Sequence, residues 1–157
     1  MTAARLLVAV LVMTLGACSA RTELCWVCQR EITPSVRVTL SLEDGRKVHA
    51  CCPRCALHYG ETSGPPVRRI EVSDYASRGT IDLRQAWLIE GSDEAPCLEH
   101  HHPVTDPGGA PMQVCYDRCM PSLIAFASRE GAAAFQGEHG GTLIPPGGLA
   151  GRAAADP

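Results

Sequence analysis

The sequence predicts an α+β protein of two small lobes with antiparallel sheets, the first a metal-stapled, treble-clef or zinc-ribbon-like ββα module. Three observations predict it. Val36 to Leu42 alternates as a strand does and is followed by a turn and a return run. Two Cys-x2-Cys steps, Cys25/Cys28 and Cys52/Cys55, bracket that hairpin. From Val67 onward, strand-like and helix-like patterns follow one another in mixed order rather than as regular strand–helix repeats.

At 157 residues the chain suits one compact domain or two very small ones. Aromatic residues make up only 4% of it, so a small lobe buries little ring area and needs staples; nine cysteines and six histidines can supply them. The formal charge is -3, and losing the single positive charge of Arg5 with a leader takes it to -4. No basic patch with interleaved aromatics is present, so nucleic acid is not an expected partner.

Met1 to Ala17 reads as an export signal: Arg5 in a short n-region, then an apolar run from Leu6 to Leu15 that is too short to span a bilayer. Leu15-Gly16-Ala17-Cys18 resembles a bacterial lipobox, in which small residues admit the peptidase and the cysteine thiol takes the diacylglycerol. An ordinary secretory signal ends in the same small residues but needs no cysteine there. Cys18 is therefore the expected lipidation site and anchor, on a membrane facing the periplasm. Ser19 follows, not Asp, and by resemblance to Gram-negative lipoproteins this points to the outer rather than the inner membrane.

Residues 18–24 are then anchor and linker, 25–66 a four-cysteine metal-binding module, 67–144 an α+β domain, and 145–157 a disordered tail opened by Pro145-Pro146-Gly147-Gly148. In the module, Glu43-Asp44-Gly45-Arg46 turns the hairpin, Lys47 to Cys51 returns, and Pro53 suits the first turn of a short helix through Tyr59. Beyond Gly64-Pro65-Pro66, Arg69 to Val72 and Ala86 to Ile89 read as strands. Ser128 caps a helix running to Glu138, Gly140-Gly141 stops it, and Thr142 to Ile144 gives a last strand.

The chemistry lies in two constellations. In the first, Cys25, Cys28, Cys52 and Cys55 have the spacing at which each pair bites one ion and four thiolates close a tetrahedron. Cys51 is a fifth thiol beside them. His49 and His58 lie nearby, more in the manner of surface residues than of ligands. The set resembles the small heavy-metal-binding variant of the treble clef: Cys-x2-Cys, a Gly-turn hairpin, then Cys-Cys-x2-Cys. The second constellation is Cys97 with His100 and His102 in a three-histidine run, followed by Met112, Cys115, Cys119 and Met120. If the stretch between Pro111 and Pro121 is helical, Met112, Cys115 and Cys119 share one stripe. Thiolate with thioether favours Cu(I) over hard ions, whereas a structural zinc site does not use methionine. Three plainer readings remain open: a zinc staple for the first set, a Met/Cys core stripe for the second, and disulfides for an exported chain.

From about Asp74 to Ile144 the chain resembles the nitrous-oxide reductase accessory protein family, NosL, the copper-binding lipoproteins of denitrifying bacteria. The residues that carry the resemblance are Asp74-Tyr75, Gly79-x-Ile81-Asp82, Ala86-Trp87, Gly91-Ser92-Asp93, Ala125 to Glu130, Ala133-Ala134-Phe135 and His139-Gly140-Gly141. The resemblance implies small α+β lobes, a copper ligand at Cys25, and a role in holding copper for a periplasmic copper enzyme such as nitrous-oxide reductase or another copper-handling protein. Where the family offers Cys-x-Met, this chain has Cys25-Trp26-Val27-Cys28.

Three functions follow as expectations. The first is a non-enzymatic Cu(I) chaperone or storage lipoprotein, possessing zinc as a second candidate cofactor. The second is a zinc-stapled protein-interaction module. The third, a thiol–disulfide oxidoreductase, lacks the βαβ context that its Cys-x2-Cys pair requires. Gly-x-Ser-x-Gly and His-Glu-x-x-His patterns do not occur, which argues against a hydrolase.

Overall fold

The computed structural model describes residues 23–62, 64–97 and 118–149. Its elements are β1 (Val38–Leu42), β2 (Lys47–Ala50), α1 (Pro53–His58), β3 (Val67–Ser73), β4 (Thr80–Asp82), β5 (Trp87–Glu90), β6 (Leu123–Phe126), α2 (Arg129–His139) and β7 (Thr142–Ile144). One sheet has the order β2-β1-β3-β4 and the other β6-β5-β7, and every pairing is antiparallel. The α+β class with antiparallel sheets is thus as the sequence predicts.

The hairpin forms for local reasons. Val38, Leu40 and Leu42 alternate into the core, where Val48 and Ala50 of β2 meet them. Gly45 takes φ +86° at the turn, and the Leu42 N–H donates to the Arg46 carbonyl at 2.9 Å. Pro53 opens α1 with its missing N–H at a position that needs none.

The first sheet does not stop at the Gly64-Pro65-Pro66 break where the sequence suggests a domain boundary. β3 pairs with β1, Val38 opposite Val72 and Leu40 opposite Ile70, and β4 adds outside it. The hairpin alone would leave the second edge of β1 unpaired, and residues 67–82 satisfy it. The two expected lobes are in consequence joined by one continuous core. Leu88, Leu123, Ala125 and Ile144 of the second sheet pack into the same cluster as Val38, Leu40 and Val72 of the first. The opposite face of the second sheet, Ile89, Ile124 and Phe126, is covered by Ala132 and Phe135 of α2. The layers run sheet, sheet, helix.

The last layer is held by specific contacts. Ser128 caps α2, its Oγ accepting from the Gly131 N–H at 3.0 Å, and Gly140 (φ +68°) and Gly141 (φ +93°) end it. Tyr75, Phe126 and Phe135 form a ring cluster with centroids 5.1–5.8 Å apart. Asp74, 4% exposed, accepts from the Ala127 N–H at 3.0 Å and the Ser77 N–H at 3.1 Å, fastening the turn after β3 to the end of β6. Burial pushes its pKa up, but the hydrogen bonds from Ser77 and Ala127 outweigh that and hold the carboxyl below its ordinary value. Residues 145–149, expected to open a disordered tail, instead form a turn, with Gly148 N–H donating to the Pro145 carbonyl at 2.9 Å and Leu149 packed on the main core. The apolar Leu149 gives that turn something to bury.

Candidate metal centre

Three chain segments meet at one end of the first sheet. Residues 25–30 make a knuckle: Cys25 N–H donates to the Arg30 carbonyl at 2.7 Å, Gln29 N–H to the Cys25 carbonyl at 2.9 Å, and Gln29 sits at φ +62°. Trp26 N–H donates to the His49 carbonyl at 2.9 Å, which pins the knuckle beside the exit of β2. Cys51 and Cys52 follow that exit directly. Cys52 is the N-cap of α1, its sulfur accepting from the Cys55 N–H at 3.5 Å, and Cys55 lies in the first turn. From far along the chain, Cys119 enters on the turn that precedes β6.

The sulfurs are in contact. Cys28 and Cys51 are 3.5 Å apart, Cys51 and Cys119 3.6 Å, Cys55 and Cys119 3.6 Å, Cys51 and Cys52 3.9 Å, and Cys28 and Cys119 3.9 Å. Two four-sulfur sets, Cys25/Cys28/Cys51/Cys55 and Cys51/Cys52/Cys55/Cys119, each have all their sulfurs within 4.8 Å of one another. Four thiolates about 2.3 Å from a central ion stand about 3.8 Å from one another along the tetrahedron's edges. The observed separations therefore fit a soft metal ion with little movement. Neither set contains a histidine or a carboxylate.

This arrangement differs from the sequence expectation in two ways. The tetrad that includes the knuckle takes Cys51, not Cys52, as its third corner. Successive residues leaving a strand point to opposite sides, and the exit from Ala50 turns Cys51 toward the knuckle while Cys52 turns to cap α1. The second difference is that the two constellations are not separate, because Cys119 joins Cys51, Cys52 and Cys55 of the first in a four-sulfur set. Cys97, 5% exposed, is buried in the same core cluster as Cys52. All seven described cysteines are free thiols. Met120 follows Cys119 but is 43% exposed. Cys18, His100, His102, Met112 and Cys115 lie outside the described residues.

Polar groups hold the assembly. The Arg30 guanidinium donates to Cys119 Sγ at 3.1 Å. Arg118 Nη1 reaches the Val27 carbonyl at 3.5 Å, and the Cys55 thiol faces the Arg118 carbonyl at 3.7 Å. Arg54, one residue before Cys55, donates from Nε to the Pro121 carbonyl at 3.1 Å and pairs through Nη2 with Glu90. Sequence reasoning passed over Arg30 and Arg54, since an arginine flanking a cysteine carries no spacing signal. His49 is engaged by Thr39 at 3.1 Å and Arg37 at 3.1 Å, and His58 by Glu61 at 2.9 Å, so both face neighbours other than the sulfurs.

Thiols packed this closely cannot all ionise together. Hydrogen bonds from Cys28, Cys51, Cys52 and Cys55 draw the Cys119 thiol well below its ordinary range. The contact with Cys119, then those with Cys25 and Cys28, push Cys51 and Cys55 up, so these two keep protons that a metal must displace.

No protein-family model matches the chain, and no curated protein matches it at a significant level. Among solved structures its fold is similar to the crystal structure of the copper chaperone NosL from Shewanella denitrificans, with a TM-score of 0.54 and 20% sequence identity, over 79% of this chain and 87% of that one. The chain thus has the α+β architecture seen in that copper chaperone, with a cluster of buried cysteines at one end of its first sheet.

Proposed function

We propose that this chain is an exported lipoprotein, tethered through Cys18 to a membrane facing the periplasm, that holds Cu(I) and passes it to a copper-handling partner such as nitrous-oxide reductase. The observation that carries this reading is the all-sulfur donor set, gathered from the knuckle, the β2–α1 junction and the Cys119 turn. Thiolates are soft donors and select Cu(I) and other d10 ions over hard cations. The fold shared with a copper chaperone supports it. The leader and lipobox-like Leu15-Gly16-Ala17-Cys18 support the anchor, and Ser19 after it the outer membrane. The chain works by binding and handing over its cargo, not by turnover.

Cys28 is the partly exposed corner of the knuckle tetrad, whereas Cys25, Cys51 and Cys55 are each 0% exposed. A partner thiolate can attack the ion from that side and draw it off by ligand exchange. Trp26, 50% exposed, lies two residues before Cys28, and Met120, 43% exposed, follows Cys119, whose sulfur is 3.9 Å from that of Cys28; both offer apolar surface for the encounter. Met112, Cys115, His100 and His102 add soft donors for capture or handover.

The test is a titration of the reduced protein with Cu(I) against a competing chelator, with zinc measured in parallel. Tight Cu(I) binding that Cys25→Ser or Cys55→Ser weakens by tenfold or more is the expected result. A protein that keeps one zinc and takes no Cu(I) from the competitor would instead be a zinc-stapled interaction module. That reading draws on the knuckle tetrad, whose spacing suits zinc equally well.

A further inference from the structure

A single four-coordinate ion would use four sulfurs, but six lie within contact here: Cys25, Cys28, Cys51, Cys52, Cys55 and Cys119. The two sets that satisfy the tetrahedral spacing have two members in common, Cys51 and Cys55. They are therefore two tetrahedra sharing one edge. We propose that the centre is dinuclear: one cation lies between Cys25, Cys28, Cys51 and Cys55, a second between Cys51, Cys52, Cys55 and Cys119, and the Cys51 and Cys55 thiolates bridge them. This rests on the reading of the centre as a soft-metal site and extends it to how many ions it takes.

Two observations beyond the sulfur count support it, and so does an economy of charge. The shared pair is fully enclosed, with Cys51 and Cys55 each 0% exposed and each in sulfur contact with Cys119. A bridging thiolate needs that position, because it spends a second lone pair on a second ion and has no use for solvent. The far corner also has a cation of its own, since the Arg30 guanidinium donates to Cys119 Sγ at 3.1 Å. Such a charge-assisted bond suits a ligating thiolate far better than a neutral buried thiol. Finally, sharing an edge lets six thiolates serve two tetrahedral ions that would otherwise need eight. That limits the negative charge buried in a low-dielectric pocket. Each ligating thiol releases its proton to solvent as the metal enters, and no redox step is involved.

The experiment is metal stoichiometry on the reduced full-length protein, by competitive Cu(I) titration and native mass spectrometry, together with cadmium NMR of the Cd(II)-loaded form. The parent protein is expected to take two ions. The Cys52→Ser/Cys119→Ser and Cys25→Ser/Cys28→Ser double variants are expected to take one each. Two cadmium resonances should be coupled to each other through the shared sulfurs, a signal read on the parent protein that needs no variant to fold. One ion in the parent, unaltered by Cys52→Ser/Cys119→Ser, with a single uncoupled cadmium resonance, would overturn the proposal. Two coupled cadmium ions with no Cu(I) taken from the competitor would uphold the dinuclear centre and reject the copper reading.

Discussion

Arg54 is the residue whose replacement most directly tests how this centre is assembled. Its side chain is 12% exposed and its partner Glu90 21%. From α1 it ties β5 of the other sheet to the turn that precedes β6: Nη2 holds Glu90 at the end of β5, and Nε holds the Pro121 carbonyl at 3.1 Å, two residues past Cys119. Two charge-assisted hydrogen bonds are worth about 1.5–3 kcal/mol each, and the residual exposure of Glu90 reduces its share. Arg54→Ala should therefore lower the unfolding free energy of the reduced, metal-free protein by about 3 kcal/mol. Arg54→Lys should lose about half of that, because an ammonium cannot aim at both acceptors as a planar fork does. Urea unfolding followed by circular dichroism measures the loss, provided the m-value is unchanged. A double-mutant cycle with Glu90→Ala isolates the pair and should return a coupling of about 1 kcal/mol or more. The Cys119 thiol should also alkylate faster in Arg54→Ala, since the turn that carries it loses its clamp to α1. A variant within about 0.5 kcal/mol of the parent, with no coupling to Glu90, would refute the argument that this arginine joins the two sheets at the sulfur cluster.

Three further outcomes follow from the packing. Asp74→Ala removes the acceptor of the Ser77 and Ala127 N–H groups at a site 4% exposed, and should cost about 2 kcal/mol in the same urea assay. At Gly141, φ is +93° and an added Cβ would stand 2.8 Å from both the Glu90 carbonyl oxygen and Ile89 Cγ2, so Gly141→Ala should cost about 2–3 kcal/mol while Gly137→Ala, with open space around it, should cost nothing measurable. Hydrogen bonds and charge from Arg84, with Arg69 behind it, hold the Asp82 carboxyl at about 2, below its ordinary 3.8. A depressed carboxylate contributes stability that is present above 3.8 and lost as pH falls through about 2. Arg84 is 78% exposed, so the contribution is at most about 1 kcal/mol, and Asp82→Asn should flatten the acid limb of a stability–pH profile by that amount.

The hairpin, both helices and the closing strand could be read from the chain because each announces itself within a few neighbouring residues. Val38, Leu40 and Leu42 alternate, Gly45 turns, Pro53 opens α1, Ser128 caps α2, and Gly140-Gly141 ends it. β6 could not be read in the same way. Leu123 to Phe126 is buried on both faces, so it shows no alternation, and four apolar residues do not separate strand from helix. β4 is three residues long and exists because β3 presents it with an open edge.

The soft-donor chemistry belongs to the sequence alone: nine cysteines, four of them in two Cys-x2-Cys steps, favour a d10 ion whatever the fold around them. Which sulfurs share a centre was decided only by the tertiary structure. Cys51 and Cys52 are interchangeable in any spacing pattern, and the direction in which the backbone leaves Ala50 sends one to the knuckle and the other to the helix cap. Cys119 is 64 residues from Cys55, and no local signal links them; the pairing of β5 with β6 and the reach of Arg30 and Arg54 bring its sulfur to 3.6 Å. Spacing governs contacts that one turn or one strand can close. Contacts made by packing two sheets onto one core depend on every residue in that core.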